Sequence, residues 1–378
     1  MHQPTALPIS ERNPVMVVLG TRPEAIKLVS VIVALRQRGI PTFVLSSGQH
    51  REMLAQMLAV FDLEPDRDLA VMRENQTLAG LSASLLTATD ALLQEIEPSW
   101  VVVQGDTTTV AMVSLAAFYR KVRVAHVEAG LRTHQKYDPF PEEINRTLLG
   151  PLGDLHLAPT PEARNNLLAE GVPAERIHVV GNTVIDALRL MESRVRDQSP
   201  AELGLDLATD RRLVLVTGHR RENFGAGLRG MFEGLRRIAA EHPEVEVLYP
   251  VHLNPNVRSA ADEVLAGIDN VRLTEPLDYA AFIKAMTLAD LLVTDSGGVQ
   301  EEAAALGIPV LVTRETSERR EAIDAGVAEL VGTDPDRVFA AAHRLLTDPA
   351  EHARRAVPSD VFGDGCSGER IAGILAAP

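Results

Sequence analysis

Short, uninterrupted apolar segments, each followed by a turn and a helical pattern, constrain the fold of this chain most strongly. Val15–Leu19 is such a segment, and Trp100–Val103 and Leu291–Thr294 are others. Strands that are apolar on both faces, with no alternation, are typical of parallel sheets covered by helices on both sides. The sequence therefore predicts an α/β protein built from repeated βα units.

The chain length and one polar stretch predict two Rossmann-like domains. With 378 residues, the chain is longer than one typical domain. The polar stretch Ser193–Arg212 reads as a linker, and the βα series resumes at Leu213. We assign residues 1–181 to an N-terminal domain, 182–364 to a C-terminal domain, and 365–378 to a helix that packs back on the first domain. Two such domains are expected to face a ligand-binding cleft.

Composition argues against several classes of protein. The net charge of −15 disfavours a nucleic-acid partner, because phosphate binding needs a basic surface. The single cysteine, Cys366, excludes an intrachain disulfide, and the histidines lack the spacing of a metal site. We therefore predict neither a metal nor a cofactor. Neither a signal peptide nor an apolar run of about 20 residues is present, so we expect a soluble cytoplasmic protein with no membrane partner.

Carboxylates follow the predicted strand ends of the first half. Asp106 and Glu128 come directly after two strands, and Glu142 lies shortly beyond in Pro-Phe-Pro-Glu-Glu. Because the carboxyl ends of parallel strands meet at one edge of a sheet, these acids can converge there. Clustered carboxylates suit proton transfer. Alternatively, Glu128 could mainly hold Arg132 or Arg146.

Two strand ends carry basic residues before a helix. Gly20–Glu24 places Arg22, with Lys27 one turn further, at a helix N-terminus whose free N–H groups suit an anion. An ordinary tight turn explains this segment almost as well. His219 follows a strand of the second half and is succeeded by two arginines. A histidine in that setting is more often a ligand contact than a core residue.

The segment Asp295–Glu302 gives the strongest signal for a phosphate. Ser296, Gly297 and Gly298 precede a predicted helix, where glycines let a pyrophosphate approach the main-chain N–H groups. Glu302, one turn later, could accept hydrogen bonds from both ribose hydroxyls. Since the chain has neither the P-loop nor the dinucleotide-binding glycine motif, a nucleotide sugar is favoured over ATP or NAD.

In chain order, these motifs resemble those of the non-hydrolysing UDP-N-acetylglucosamine 2-epimerase family. The segments that carry the resemblance are Gly20–Lys27, Gln49–Glu52, Gly105–Thr109, His126–Arg132, Pro139–Arg146, Gly181–Thr183, Gly218–Glu222, Val251–Pro255, Asp295–Glu302 and Phe362–Gly365. The resemblance implies a glycosyltransferase-B-like fold, a homodimer, and reversible conversion of UDP-GlcNAc to UDP-ManNAc. It also implies elimination of UDP and its re-addition through 2-acetamidoglucal, in the service of cell-surface polysaccharide synthesis.

The resemblance further implies roles for individual residues. The catalytic positions are Asp106, Glu128, Glu142, Arg146 and His219. The positions that bind the UDP-sugar are Arg22, Lys27, Phe282 near the uracil, Ser296, Gly297, Gly298, Glu302, and Arg319 near the phosphates. This chain departs from the family where His134 stands in place of a glycine and Asp138 in place of a serine.

A second, regulatory UDP-GlcNAc site is also implied by the resemblance. Gln49, His50 and His252 match its residues, whereas Glu52 and Asn75 stand where other members carry Gln and Arg. An added carboxylate and a lost cation should both weaken the binding of a second pyrophosphate, so we expect weak activation.

Other functions remain open. A glycosyltransferase would share the fold and the UDP-sugar site but would need an acceptor, and the segments Val127–Arg132 and Pro139–Arg146 are not ones we associate with transferases. A hydrolysing epimerase would release free ManNAc and UDP. A catalytically silent sensor of nucleotide sugars is disfavoured by the intact acids. An assay with UDP-GlcNAc alone separates these alternatives.

Overall fold

The structure is a computed structural model that describes residues 13–48, 57–73, 75–208, 210–317 and 319–377. The chain divides into two compact units. The first contains the residues up to Ala187 together with those from Gly363 onward, and the second is Leu188–Phe362. The division falls within the helix Thr183–Val195. The predicted linker, Ser193–Arg212, begins inside this helix. The helix continues to Val195 because that residue is buried and extends its apolar face.

The first unit is a parallel sheet with helices. Its elements are β1 (Val15–Leu19), α1 (Arg22–Gln37), β2 (Thr42–Ser46), β3 (Arg67–Asp68), α2 (Leu78–Ile96), β4 (Trp100–Gln104), α3 (Thr108–Tyr119), β5 (Arg123–Val127), α4 (Glu142–Leu152), β6 (Leu155–Ala158), α5 (Pro161–Ala169), β7 (Ile177–Val179), α6 (Thr183–Val195) and α14 (Ser367–Ala376). The strand order is β3-β2-β1-β4-β5-β6-β7, and all pairs are parallel. The order reverses between β1 and β4.

The apolar strands are buried, as their sequence predicts. Every residue of Val15–Leu19 is buried, and so is each residue of β4. The C-terminal helix α14 packs on α1. The two helices are so close at Gly368 that a Cβ added to this residue would lie 2.8 Å from the carbonyl carbon of Ser30. The last segment of the chain is thereby part of the first unit.

The second unit repeats this architecture. Its elements are β8 (Arg212–Thr217), α7 (Ala226–Glu241), β9 (Val245–Pro250), α8 (Pro255–Leu265), β10 (Val271–Thr274), α9 (Tyr279–Leu288), β11 (Leu291–Thr294), α10 (Gly297–Leu306), β12 (Val310–Val312), α11 (Arg320–Asp324), β13 (Ala328–Leu330), α12 (Pro335–Thr347) and α13 (Pro349–Arg355). The strand order is β10-β9-β8-β11-β12-β13, again parallel. It reverses between β8 and β11.

Two features of the elements differ from the sequence expectation. The long helix α2 was not expected. Helix α10 begins at Gly297, whereas the sequence pattern places Gly297 and Gly298 before the helix, because two successive glycines are poor helix formers and conceal the first turn. Ser296 is the N-cap. Along the described part of the chain, no helix is long and apolar enough to cross a membrane.

Candidate functional site

Asp106 lies in the turn after β4 and is held by residues of neighbouring elements. Nε and Nη2 of Arg146 both lie 2.7 Å from its Oδ2. The side-chain amide of Asn145 donates to the main-chain oxygen of Asp106 at 2.8 Å. His126 is within 2.7 Å of the carbonyl oxygen of Gly105 through Nε2. Burial, followed by the proximity of another histidine, lowers the pKa of His126 to about 3, so this neutral ring donates its Nε2–H. The turn is fixed on both sides of the carboxylate.

Glu142 presents a second carboxylate on the helix that holds Asp106. It is half-buried at the start of α4. Asn145 and Arg146 follow three and four residues later, so they share its helix face. In the described ranges, its carboxylate makes no hydrogen bond or ion pair. Glu142 is therefore available to a ligand on the side of α4 that faces Asp106.

Glu128 is instead bonded to its neighbours. Lys27 Nζ lies 2.7 Å from its Oε1 and 2.6 Å from its Oε2. The amides of Gln104 and Asn182 also donate to it. The φ angle of Glu128 is +61°, in the left-handed region that non-glycine residues seldom adopt and that often marks functional sites. Lys27, which the sequence assigned to the substrate, here neutralises this buried carboxylate.

The arginines proposed as partners of Glu128 have other carboxylates beside them. Arg132 forms a two-point pair with Glu170, with both distances 2.7 Å. Arg146 pairs with Asp106 and, at 3.1 Å, with Glu143. Within the described part of the chain, a cation paired with Glu128 is Lys27, which lies 101 residues away in sequence.

Glu24 is a buried acid that the sequence interpretation missed. It is 2% exposed and accepts hydrogen bonds from the N–H groups of Gly20 and Thr21 and, at 2.6 Å, from the hydroxyl of Thr107. Burial raises its pKa to about 7, and the charge of Asp106 acts in the same direction. The spacing Thr21-x-x-Glu24 is that of a capping box, a signal that predicts the bond to Thr21 but not the one to Thr107. Glu24 thus joins the turn after β1 to the turn after β4.

The glycine turn of the second unit leaves space at a helix N-terminus. Ser296 occupies the N-cap position of α10, without a capping hydrogen bond from its side chain, and Gly297 and Gly298 are the first residues of the helix. A Cβ added to Gly298 would have no heavy atom within 4 Å, whereas one on Gly297 would lie 3.4 Å from the Arg319 guanidinium carbon. Arg319 is itself buried and bonded to Glu301 at 2.7 Å. The N–H of Ser296 donates to the Thr294 hydroxyl at 2.9 Å. The open space, the first-turn N–H groups of Gly297 and Gly298, and the fixed guanidinium together suit a diphosphate.

Tyr279 links the helix of Phe282 to Glu302 of α10. The buried carboxylate of Glu302 accepts a hydrogen bond from the hydroxyl of Tyr279 at 3.3 Å. Phe282 is half-buried three residues after Tyr279 on α9, so the two rings share a helix face. Arg22, by contrast, belongs to the first unit, where it is the first residue of α1 and half-buried.

His219 lies in the loop after β8, beside the turn that follows β11. Its main-chain N–H bonds the carboxylate of Asp295, and its ring stacks on that of His252 at 5.4 Å between centroids. The other two residues of the predicted regulatory set, Gln49 and His50, lie outside the described residues.

The predicted site residues therefore form two sets, each at the strand-order reversal of its own unit. The first set contains Arg22, Lys27, Asp106, Glu128, Glu142 and Arg146. The second contains His219, His252, Phe282, Ser296, Gly297, Gly298, Glu302 and Arg319. Reversals of this kind are where open α/β sheets bind ligands at the carboxyl ends of their strands.

Two parallel α/β units, one with a carboxylate set and the other with a phosphate-suited turn, define a protein of the glycosyltransferase-B-like class. The fold alone is shared with the crystal structure of the glycotransferase of kitacinnamycin, which is 14% identical with a TM-score of 0.64 and covers 97% of this chain and 98% of that one. The family model described as UDP-N-acetylglucosamine 2-epimerase matches residues 33–376. The chain belongs to that enzyme family.

Individual relatives agree over nearly the full length. The UDP-N-acetylglucosamine 2-epimerase of Yersinia pestis is 47% identical over 363 residues, which are 94% of this chain and 96% of that protein. The UDP-GlcNAc 2-epimerase of Neisseria meningitidis, in a crystal structure bound to UDP-GlcNAc, is 39% identical with a TM-score of 0.90, covering 96% of this chain and 99% of that one.

Proposed function

We propose that this enzyme is a non-hydrolysing epimerase that interconverts UDP-GlcNAc and UDP-ManNAc at C2 of the sugar. The observation that carries the proposal is the placement of two carboxylates, Asp106 and Glu142, around one helix, α4. One carboxylate is fixed by Arg146, and the other is free of partners in the described ranges, on the helix that holds the first. Inverting a carbon requires removal of a proton from one face and delivery to the other, which takes two proton-transfer groups.

The reaction proceeds by elimination and re-addition. A carboxylate removes the C2 proton while the C1–O bond to UDP breaks, and the electron pair of the C–H bond forms the double bond of 2-acetamidoglucal. A second acid then delivers a proton to the opposite face of C2, and the UDP oxygen adds back to C1. We assign these two proton transfers to Asp106 and Glu142. Glu128, already neutralised by Lys27, maintains the arrangement around them.

The second unit supports the departing UDP. The N–H groups of Gly297 and Gly298 and the guanidinium of Arg319 suit the negative charge that develops on the diphosphate. Glu302, oriented by the Tyr279 hydroxyl, suits the ribose hydroxyls, and Phe282 suits the uracil. Arg22 adds a cation at the α1 terminus of the first unit.

Proton NMR of UDP-GlcNAc and enzyme in deuterated water tests the proposal. We expect UDP-ManNAc to appear with deuterium at C2 and at no other carbon, without an acceptor or NAD. Product that retains its C2 hydrogen would rule out the elimination mechanism. Free ManNAc with UDP would indicate a hydrolysing enzyme, and a requirement for an acceptor would indicate a transferase.

Substitution of Asp106 by Asn tests the residue assignment. We expect turnover to fall about 100-fold or more, the size of a general acid–base contribution. The matched control is Asp90→Asn, because Asp90 of α2 is also paired with an arginine, Arg120, but at the protein surface. Arg120 directly follows α3. Activity near that of the wild type in Asp106→Asn would remove Asp106 from the mechanism.

We further propose that the enzyme is a homodimer. The apolar residues Phe118 and Tyr119 are 57% and 59% exposed at the end of α3, and Ile144 and Leu148 are exposed on α4, which packs on α3. Exposed apolar groups on adjacent helices are typical of protein interfaces. Light scattering should give twice the chain mass of 40.9 kDa, and Tyr119→Glu should weaken the dimer. A monomeric wild type would contradict this.

The cellular role that we propose is supply of ManNAc units, from the cytoplasm, for a surface polysaccharide. The biosynthetic character of the reaction supports it. Loss of the gene should remove ManNAc from hydrolysed envelope polysaccharide, and the tagged protein should fractionate with cytoplasmic markers. Unchanged sugar composition would contradict this role.

Weak activation by a second UDP-GlcNAc is proposed at a site that includes His252. The stacking of His252 on His219 supports a link between such a site and the reaction. The reverse reaction, started from UDP-ManNAc alone, should proceed with little lag. A strict lag that traces of UDP-GlcNAc abolish would show strong activation instead.

A further inference from the structure

A buried carboxylate to which the proposed function gives no role lies at the strand-order reversal of the second unit. Asp295 follows β11, directly precedes Ser296, and is 0% exposed. Its Oδ2 accepts hydrogen bonds from the main-chain N–H groups of His219 at 3.0 Å and Arg220 at 2.9 Å, and from Asn223 Nδ2 at 3.2 Å. These donors stabilise a charge that burial would otherwise disfavour. Asp295 thereby ties the loop after β8 to the turn after β11.

The other carboxylate oxygen faces the ring of His219. Oδ1 of Asp295 lies 3.6 Å from Nδ1 of His219, whose side chain is 44% exposed. A carboxylate can only accept, so the favourable arrangement has the ring proton on Nδ1. That tautomer leaves the lone pair of the neutral imidazole on Nε2, the nitrogen on the opposite edge of the ring.

The groups around the His219 ring shift its pKa in opposite directions. Burial lowers the pKa of His219, the charge of Asp295 raises it, and His252 and Arg220 lower it, with a net decrease. Tyr249, which is also close, donates its hydroxyl to the carbonyl of Gly218. The ring is therefore neutral at neutral pH until an anion approaches, and Asp295 is the carboxylate that favours its protonation.

We propose that Asp295 is a positioning residue for His219: it fixes the Nδ1–H tautomer, so that Nε2 takes up a proton when a diphosphate binds at Ser296–Gly298. This inference rests on the proposed function, because the diphosphate is that of UDP. The Nε2 lone pair forms a bond to one proton taken from solvent, and the resulting imidazolium is stabilised by Asp295 on one side and by the phosphates on the other. The proton returns to solvent when UDP leaves.

Calorimetry of UDP binding tests the proton uptake. Titrations at pH about 7.5 in buffers of different ionisation enthalpy count the protons taken up. We expect the wild type to take up more protons than Asp295→Asn, by up to one, and the variant to bind UDP about tenfold or more weakly, as for loss of a charge-assisted hydrogen bond. Equal proton uptake and equal affinity in the two proteins would overturn the proposal.

The matched control is Asp334→Asn. Asp334 caps α12 in the same unit by accepting from the N–H groups of Asp336 and Arg337. Among the described residues it has no hydrogen bond or ion pair with His219, so the control should bind UDP and take up protons as the wild type does. A control that loses proton uptake equally would overturn the assignment to Asp295.

Nitrogen-15 NMR of the unliganded protein provides a readout that requires neither activity nor UDP. The His219 ring, assigned by loss of its signal in His219→Asn, should be the Nδ1–H tautomer in the wild type. In Asp295→Asn the amide would donate to Nδ1 and shift the ring to the Nε2–H tautomer. A wild type in the Nε2–H form would refute the proposal, even if the variant does not fold. The Nδ1–H form in a protein without epimerase activity would refute the proposed function and retain the Asp295–His219 pair.

Discussion

Replacement of Glu24 by Gln should stabilise the first unit at neutral pH and above. The pKa of Glu24 is raised from 4.5 to about 7, so the native state binds this proton more tightly than the unfolded chain does. Stability therefore falls as pH rises between these two values and does not change further above them. A difference of about 2.5 pKa units corresponds to about 3 kcal/mol. Glutamine removes the charge, while its carbonyl can accept from Gly20 and Thr21 and its amide can donate to Thr107.

The assay is urea unfolding monitored by the fluorescence of Trp100. Trp100 is the only tryptophan of the chain and lies in β4 of the first unit, so it reports on the unit that contains Glu24. We expect the free energy of unfolding of Glu24→Gln, relative to that of the wild type, to increase by about 3 kcal/mol between pH 4.5 and pH 8. A difference that does not change with pH would refute the reasoning.

Glu143→Gln is a control of opposite sign in the same unit. Burial alone would raise the pKa of Glu143, but hydrogen bonds from two main-chain N–H groups and the charge of Arg146 outweigh it, and the pKa is lowered. The stabilisation is therefore present above the unfolded pKa and is lost as pH falls through the folded one. Glu143→Gln should destabilise the unit at pH 7, and by less in acid.

Other perturbations separate structural from chemical roles. Lys27→Met removes the cation paired with the buried Glu128 and should lower the free energy of unfolding in urea by about 3–5 kcal/mol. Adding Glu128→Gln should restore part of this loss, and an unchanged stability of Lys27→Met would contradict the pairing. Glu142→Gln should change stability by less than about 0.5 kcal/mol while lowering turnover about 100-fold, and parallel losses would indicate a structural role. His134→Gly, at a φ of +60°, should raise stability by about 0.5–1 kcal/mol, measured by the same unfolding assay; a decrease would show that the histidine side chain compensates for its backbone strain.

Local sequence pattern was sufficient for the α/β fold and for placing several candidate residues at the ends of strands. Apolar runs predicted the strands Val15–Leu19 and Leu291–Thr294 with their observed bounds. A strand that is buried on both faces needs apolar residues at every position, so a few consecutive residues are enough to identify it. The turn at Ser296–Gly298 was predictable for the same reason, because a serine and two glycines directly after a strand are a local signal for the start of a helix. The acids after strand ends followed from the rule that parallel strands end at one edge.

Only the tertiary structure determined which charged side chains are paired with each other. Lys27 and Glu128 are 101 residues apart and Asp295 and His219 are 76 apart, so no periodicity or spacing connects them. Whether a carboxylate is neutralised, as Glu128 is, or makes no bond within the described ranges, as for Glu142, depends on how strands from distant parts of the chain are ordered in the sheet. The sequence specifies which residues reach the edge of each sheet. Their partners and proton affinities arise when burial removes water and long-range packing supplies the neighbouring charge.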